Sequence, residues 1–160
     1  MNAARAPRSL LAIPRTAWPL AVAAGLSLVA GYVHLVYMQS HWQEWWAYGA
    51  FFLATGVGQA LYALALLRWP RPGLCLTGIA GNLAIVGMYL LSRTAGPPLG
   101  PHAHAIEPAG AVDLATTAGE IVLVVLLIAR LDRRPRARVV NALVAAGLAL
   151  WALRLTGHLA

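Results

Sequence analysis

The stretch AVDLATTAGEIVLVVLLIA, residues 111–129, decides the fold class of this 160-residue chain. Its side chains are apolar or small apart from Asp113, two threonines and Glu120. About 20 such residues in helical conformation cross the roughly 30 Å hydrocarbon core of a bilayer. Because a backbone in lipid must satisfy its own hydrogen bonds, a continuous apolar run of this length predicts a membrane-spanning helix rather than a barrel strand.

Four further stretches have the same character, and short connections rich in proline, glycine and arginine separate them. The composition agrees, since 60% of the residues are hydrophobic and five acidic side chains are too few to cover a water-facing surface. The sequence therefore predicts an all-α fold, an integral membrane bundle of five transmembrane helices over residues 18–160, after a basic cytoplasmic segment at 1–17. The predicted spans are 18–37, 47–67, 74–92, 111–129 and 139–155.

The arginines predict the orientation, because cations beside a span are retained on the cytoplasmic side. Ten of the twelve lie before the first span, between the second and third, or between the fourth and fifth. This pattern predicts a multi-pass protein of the bacterial inner membrane, with its N-terminus inside and its C-terminus outside. It also accounts for the net charge of +7 without a nucleic-acid partner. A cleaved signal peptide is the alternative interpretation of the first span.

The histidines and most of the carboxylates fall at the opposite, outer ends of the spans. The spacing of His34, Met38, His41 and Glu44 places them along one stripe if the first helix continues past its span. In an extended segment, the two imidazoles of His102-x-His104 would face one centre. Imidazole with carboxylate suits copper, zinc or iron, so the sequence predicts an outward-facing transition-metal site. Its candidate ligands are His34, His41, Glu44, His102, His104 and Asp113.

Each part of this metal prediction has a structural alternative. His41 and Glu44 lie within a tryptophan-rich stretch that is typical of an interfacial aromatic belt. His102 and His104 fit a solvated loop equally well. Haem held by two histidines ranks below a metal ion, because only His34 clearly lies inside a span. The single cysteine excludes an internal disulfide and any cage built from several thiolates.

Glu120 is the strongest single signal in the sequence. It lies about nine residues into the fourth span, near the bilayer midplane, where a charged carboxylate costs about 3 kcal/mol on insertion scales. We therefore expect it to be paired, protonated or a ligand. A pair with Arg154, or hydrogen bonds with Gln59 and Asn82 at comparable depth in neighbouring spans, would satisfy it without a functional role.

A set of motifs runs through the middle of the chain: HWQEWW (41–46), YGAFF (48–52) with Gln59, GNLAIV (81–86), SRTAGPPLGP (92–101), Glu107-Pro108, Asp113-Leu114, Thr117 and Glu120. Together they resemble a family of small bacterial multispanning membrane proteins of unknown function. The resemblance covers roughly residues 34 to 122 and implies no activity. It implies that the outer cluster and the loop between the third and fourth spans are the characteristic parts of the family.

Three functional hypotheses follow from these observations. The first is the outward-facing metal site, and the second is a small proton-coupled permease that uses Glu120 and forms a homo-oligomer, since one chain shows no internal repeat. The third is an accessory subunit of a larger membrane complex. Enzymatic activity is the least supported, because the sequence has no phosphate-binding loop, nucleophile elbow or His-Glu-x-x-His motif.

Overall fold

A computed structural model describes residues 18–156, which form five α-helices and, within this range, no strand. Each helix is long and apolar enough to cross a membrane, which confirms the predicted all-helical fold with five candidate spans. The basic segment 1–17 and His158 lie outside the described residues. The helices are α1 (Trp18–Glu44), α2 (Trp46–Arg68), α3 (Pro72–Thr94), α4 (Ala111–Arg130) and α5 (Arg133–Leu155).

All five helices extend beyond the predicted spans, and two of them do so by six or seven residues. Helix α1 continues to Glu44 rather than ending at 37, and α5 begins at Arg133 rather than at 139. Hydropathy marks only the part of a helix that lipid would solvate, whereas the internal hydrogen bonds continue until the backbone leaves helical conformation. For α1 this happens at Trp45, which is extended with φ −164° and ψ 134°. The stripe from His34 to Glu44 therefore lies on one helix.

Helices α1 and α2 have the most extensive contact in the bundle. They approach closely at Gly31 and Gly56, where a Cβ atom on Gly56 would lie 2.9 Å from the carbonyl oxygen of Gly31. Nearby, the Ser27 hydroxyl donates a hydrogen bond of 2.8 Å to the Gln59 carbonyl. Small residues at a helix crossing, with a hydroxyl bonded across it, are typical of packing between membrane helices.

The two ends of the bundle differ in character. At the arginine end, where α2 and α4 end and α3 begins, an apolar cluster that includes Leu66, Cys75 and Leu127 fills the interior. At the other end, where α1 and α3 end and α2 and α4 begin, the helices leave a space between them. We call this the cavity end. Helix α5 contacts α4 alone among the described helices, and none of its residues is buried.

Candidate functional site

A cavity of about 640 Å³ occupies the cavity end of the bundle. Its walls come from α1, α2, α3 and α4, and the connection between α3 and α4, residues 95–110, contributes Pro97, Pro98, Leu99, Glu107 and Pro108. This volume is within the range of about 300–1,000 Å³ that small-molecule pockets occupy. The cavity is therefore large enough for an organic ligand.

The cavity is acidic, although the chain as a whole carries a net charge of +7. Four of the five acidic residues in the chain line it, namely Glu44, Glu107, Asp113 and Glu120. The fifth, Asp132, lies directly before α5 at the arginine end. Arg93 is the one arginine among the lining residues in the described part of the chain. Carboxylates therefore outnumber guanidinium groups around this space.

Glu120 lies at the base of the cavity, with 2% of its surface exposed. The Gln59 side-chain amide donates a hydrogen bond of 2.8 Å to Oε1 of Glu120, and the same nitrogen lies 3.4 Å from Oδ1 of Asn82. Gln59 therefore contacts both of the other predicted intramembrane residues, Glu120 and Asn82. Arg154 is exposed on α5, so the structure satisfies Glu120 through the amide rather than through that arginine.

Hydrogen-bond acceptors collect beside Glu120. Oε1 of Gln59 is buried and has no hydrogen-bond partner within residues 18–156. His34 is buried and its Nδ1 lies 2.8 Å from the Ala30 carbonyl, which can only accept, so Nδ1 carries the proton. In the neutral ring Nε2 is then an acceptor, and His34 lines the cavity. Of these residues Glu120 and His34 line the cavity, whereas Gln59 contacts Glu120 without contributing to the lining.

Arg93 binds two carboxylates beside the 95–110 connection, at the part of the cavity that we call its mouth. Its Nη1 donates to the Glu107 carboxylate, and its Nη2 donates to Oδ2 of Asp113 at 2.9 Å. The same Asp113 oxygen accepts from the Gly110 backbone nitrogen at 3.1 Å, at the start of α4. The guanidinium also lies 5.0 Å from the centre of the Tyr89 ring. One cation on α3 therefore ties the 95–110 connection and the first turn of α4 together.

The predicted metal ligands are distributed over separate places. Nδ1 of His41 lies 3.3 Å from Oε2 of Glu44, and both residues line the cavity. His34 lies on the same helix with its Nδ1 committed to a backbone carbonyl, and Asp113 is committed to Arg93. Within residues 18–156, no three histidine, cysteine or acidic side chains are grouped so that they could hold a metal ion.

The extended geometry expected for His102 and His104 is wrong. Residues 101–104 form a turn, and His104 has a left-handed backbone with φ 62°. Both imidazoles are exposed, and neither residue lines the cavity. The turn is fixed by contacts that span the connection, including a hydrogen bond of 2.9 Å from the His104 nitrogen to the Pro97 carbonyl. A spacing of two residues carries no information about such contacts.

Sequence reasoning missed two parts of the site. Arg93 is one of the two arginines that lie outside the three predicted cytoplasmic groups, and it binds two of the carboxylates. The aromatic residues at the start of α2 looked like an interfacial belt, yet they line the cavity, and the Tyr48 hydroxyl donates 2.7 Å to the Leu99 carbonyl. The sequence does contain a signal for this wall of the cavity, because aromatic and acidic residues occur together in the stretch 41–46. The aromatic lining residues are Tyr37, Trp45, Tyr48, Phe51, Phe52 and Tyr89.

No family model, curated protein or solved structure matches this chain. The resemblance to small multispanning proteins of unknown function stays a prediction, and it implied no activity. The chemistry that points to a function is that of the cavity itself. It combines carboxylates at the base and mouth with aromatic rings along the walls.

Proposed function

We propose that this chain spans the bacterial inner membrane and binds a small cationic ligand in the acidic cavity. The observation that carries the proposal is the collection of four of the five carboxylates around one cavity in a chain of net charge +7. A cleft lined by one sign of charge, with walls of low dielectric constant, concentrates ligands of the opposite sign. A bound cation would also offset the cost of a charged carboxylate at Glu120.

The distribution of arginine supports entry of the ligand from outside. Between residues 18 and 156, seven of the nine arginines belong to the two connections at the arginine end or to the adjacent helix ends, which favours a cytoplasmic location for that end. The apolar cluster there fills the interior, so the cavity reaches solvent at the opposite end. In this orientation the mouth beside Arg93 faces the periplasm.

A transition-metal ion is the second candidate, and one observation favours it. His41 and Glu44 lie in contact on one turn of α1 and line the cavity, so they offer an imidazole and a carboxylate to one ion. Copper, zinc and iron accept such donors. Two protein ligands leave most of a coordination shell to water or to a further ligand, which distinguishes this candidate from a closed structural site.

Binding of matched charged and neutral compounds tests the proposal. Titration calorimetry on the full chain in detergent would compare n-butylammonium and zinc ions with butyrate and n-butanol. We expect saturable binding of at least one cation and none of the anion or the alcohol. Glu120→Gln keeps the shape of the side chain but removes its charge, and it should weaken cation binding by about 10–100-fold, equivalent to about 1.4–2.8 kcal/mol.

Asp132→Asn is the matched control, since it removes the one acidic charge outside the cavity. It should leave cation affinity unchanged. Binding of butyrate as tight as that of any cation would contradict the proposal. So would a Glu120→Gln variant with unchanged affinity.

A further inference from the structure

We infer that the ligand is a primary ammonium compound with an apolar or aromatic body, bound with its ammonium group against Glu120 and His34 at the base of the cavity. This inference rests on the proposed binding of a cation in the same cavity and specifies which chemical class of cation it takes. Three features carry it: the hydrogen-bond acceptors at the base, the aromatic walls and the arrangement of the remaining charges.

The hydrogen-bond acceptors at the base of the cavity favour a ligand with several hydrogen-bond donors. Glu120 accepts one hydrogen bond from the Gln59 amide nitrogen, and its carboxylate forms part of the cavity surface. His34 also lines the cavity, and in the neutral ring Nε2 is an acceptor because Nδ1 holds the proton. A primary ammonium group has three N–H donors and one positive charge. It can therefore satisfy acceptors that a quaternary ammonium group, which has no N–H, leaves unpaired.

The walls favour an organic cation over a bare ion. Aromatic faces attract cations, and tryptophan does so most strongly. The ring centres of Trp45 and Tyr48 lie 5.0 Å apart in an edge-to-face arrangement. The ring of His41 stacks on that of Phe52, with 3.9 Å between the ring centres. A cavity of about 640 Å³ is far larger than one ion needs, whereas apolar rings can contact the carbon skeleton of an amine.

The charged groups at the mouth of the cavity carry more negative than positive charge, which favours entry of a cation. The guanidinium of Arg93 is bound to two carboxylates, those of Glu107 and Asp113, so its local charge is more than balanced. Within residues 18–156, no three metal-binding side chains meet, so a bare transition-metal ion would lack a ligand shell from the protein. The charge therefore attracts a cation, while the hydrogen-bond acceptors at the base suit its N–H groups.

Paired ligands that differ only at nitrogen test the inference. Calorimetry on the full chain in detergent, at fixed pH and salt, would compare 2-phenylethylammonium with its N,N,N-trimethyl derivative and with zinc ions. We expect the primary ammonium to bind at least about tenfold tighter than the trimethyl compound, since each hydrogen bond to a charged donor contributes at least that factor. Gln59→Leu removes the amide that holds the Glu120 carboxylate and should reduce the preference by about three- to tenfold.

Gln39→Leu is the matched control, because Gln39 is an exposed amide on α1 outside the cavity lining. It should keep the full preference. Equal or tighter binding of the trimethyl compound would overturn the inference and leave cation binding intact. Zinc binding without amine binding would do the same, and binding of none of the three would overturn both proposals. If Gln59→Leu does not fold, the ranking of the three ligands on the unmodified chain still decides the question.

Discussion

Replacing Arg93 with glutamine should release the 95–110 connection from the bundle. The guanidinium holds Glu107 within that connection and Asp113 in the first turn of α4, so one side chain joins three parts of the chain. Glutamine is too short and uncharged to bind both carboxylates. The substitution also leaves two like charges close together, which adds repulsion to the lost attraction.

The expected size follows from the exposure of these groups. The side chain of Arg93 is 18% exposed, that of Glu107 is 33% exposed and that of Asp113 is 38% exposed. Fully exposed pairs contribute about 0–1 kcal/mol, and hydrogen bonds to charged groups about 1.5–3 kcal/mol. For this intermediate exposure we expect about 1 kcal/mol from each bond, or about 2 kcal/mol together. That loss raises the population of the opened connection by about thirtyfold.

Hydrogen–deuterium exchange measures this population directly. Two backbone amides report it, because the Glu107 nitrogen donates to the Ser92 carbonyl and the His104 nitrogen donates to the Pro97 carbonyl. Peptides covering 95–110 should exchange about thirtyfold faster in Arg93→Gln, while peptides from the middle of α1 and α2 stay protected. Arg154→Gln, at an exposed arginine on α5, is the control and should match the unmodified protein. Unchanged exchange over 95–110 in Arg93→Gln would refute this account of the mouth.

Two further outcomes are expected. Gly56→Leu should lower the free energy of unfolding in detergent denaturation by about 1–3 kcal/mol, because its Cβ would lie 2.7 Å from Cγ of Leu35. Gly58→Leu is the control and should be nearly neutral, because a Cβ at Gly58 has no atom within 4 Å. For the orientation, alkaline phosphatase fused to the C-terminus should be active and a fluorescent protein fused there should be dark. The reverse pattern would place the cavity mouth in the cytoplasm.

The fold could be predicted from sequence because length and apolar composition decide it locally. Each span is a run that lipid can solvate, and the five helices lie where those runs lie. The helix ends were less predictable, since hydropathy does not register the polar last turns of α1, including His41 and Glu44. Those turns matter, because they form one wall of the cavity.

The site was predictable only where depth determined it. Gln59, Asn82 and Glu120 meet because they lie at similar depth in neighbouring helices, which residue counting can estimate. The mouth depends instead on how residues 95–110 fold back, and Gly100 helps to fix that path. Its φ of 98° is readily adopted only without a side chain, and a Cβ there would lie 2.5 Å from the Tyr48 hydroxyl oxygen. No periodicity in the sequence encodes that contact.

The location of Cys75 gives the chain a practical property. The residue is 5% exposed and lies among apolar side chains at the end of the bundle away from the cavity. It carries the sole thiol in the sequence. Reagents that modify cysteines need an accessible thiolate, so the native protein should stay unlabelled by maleimides. A spin probe or fluorophore on a cysteine introduced at the rim would then give a signal from one place, without first removing a natural residue.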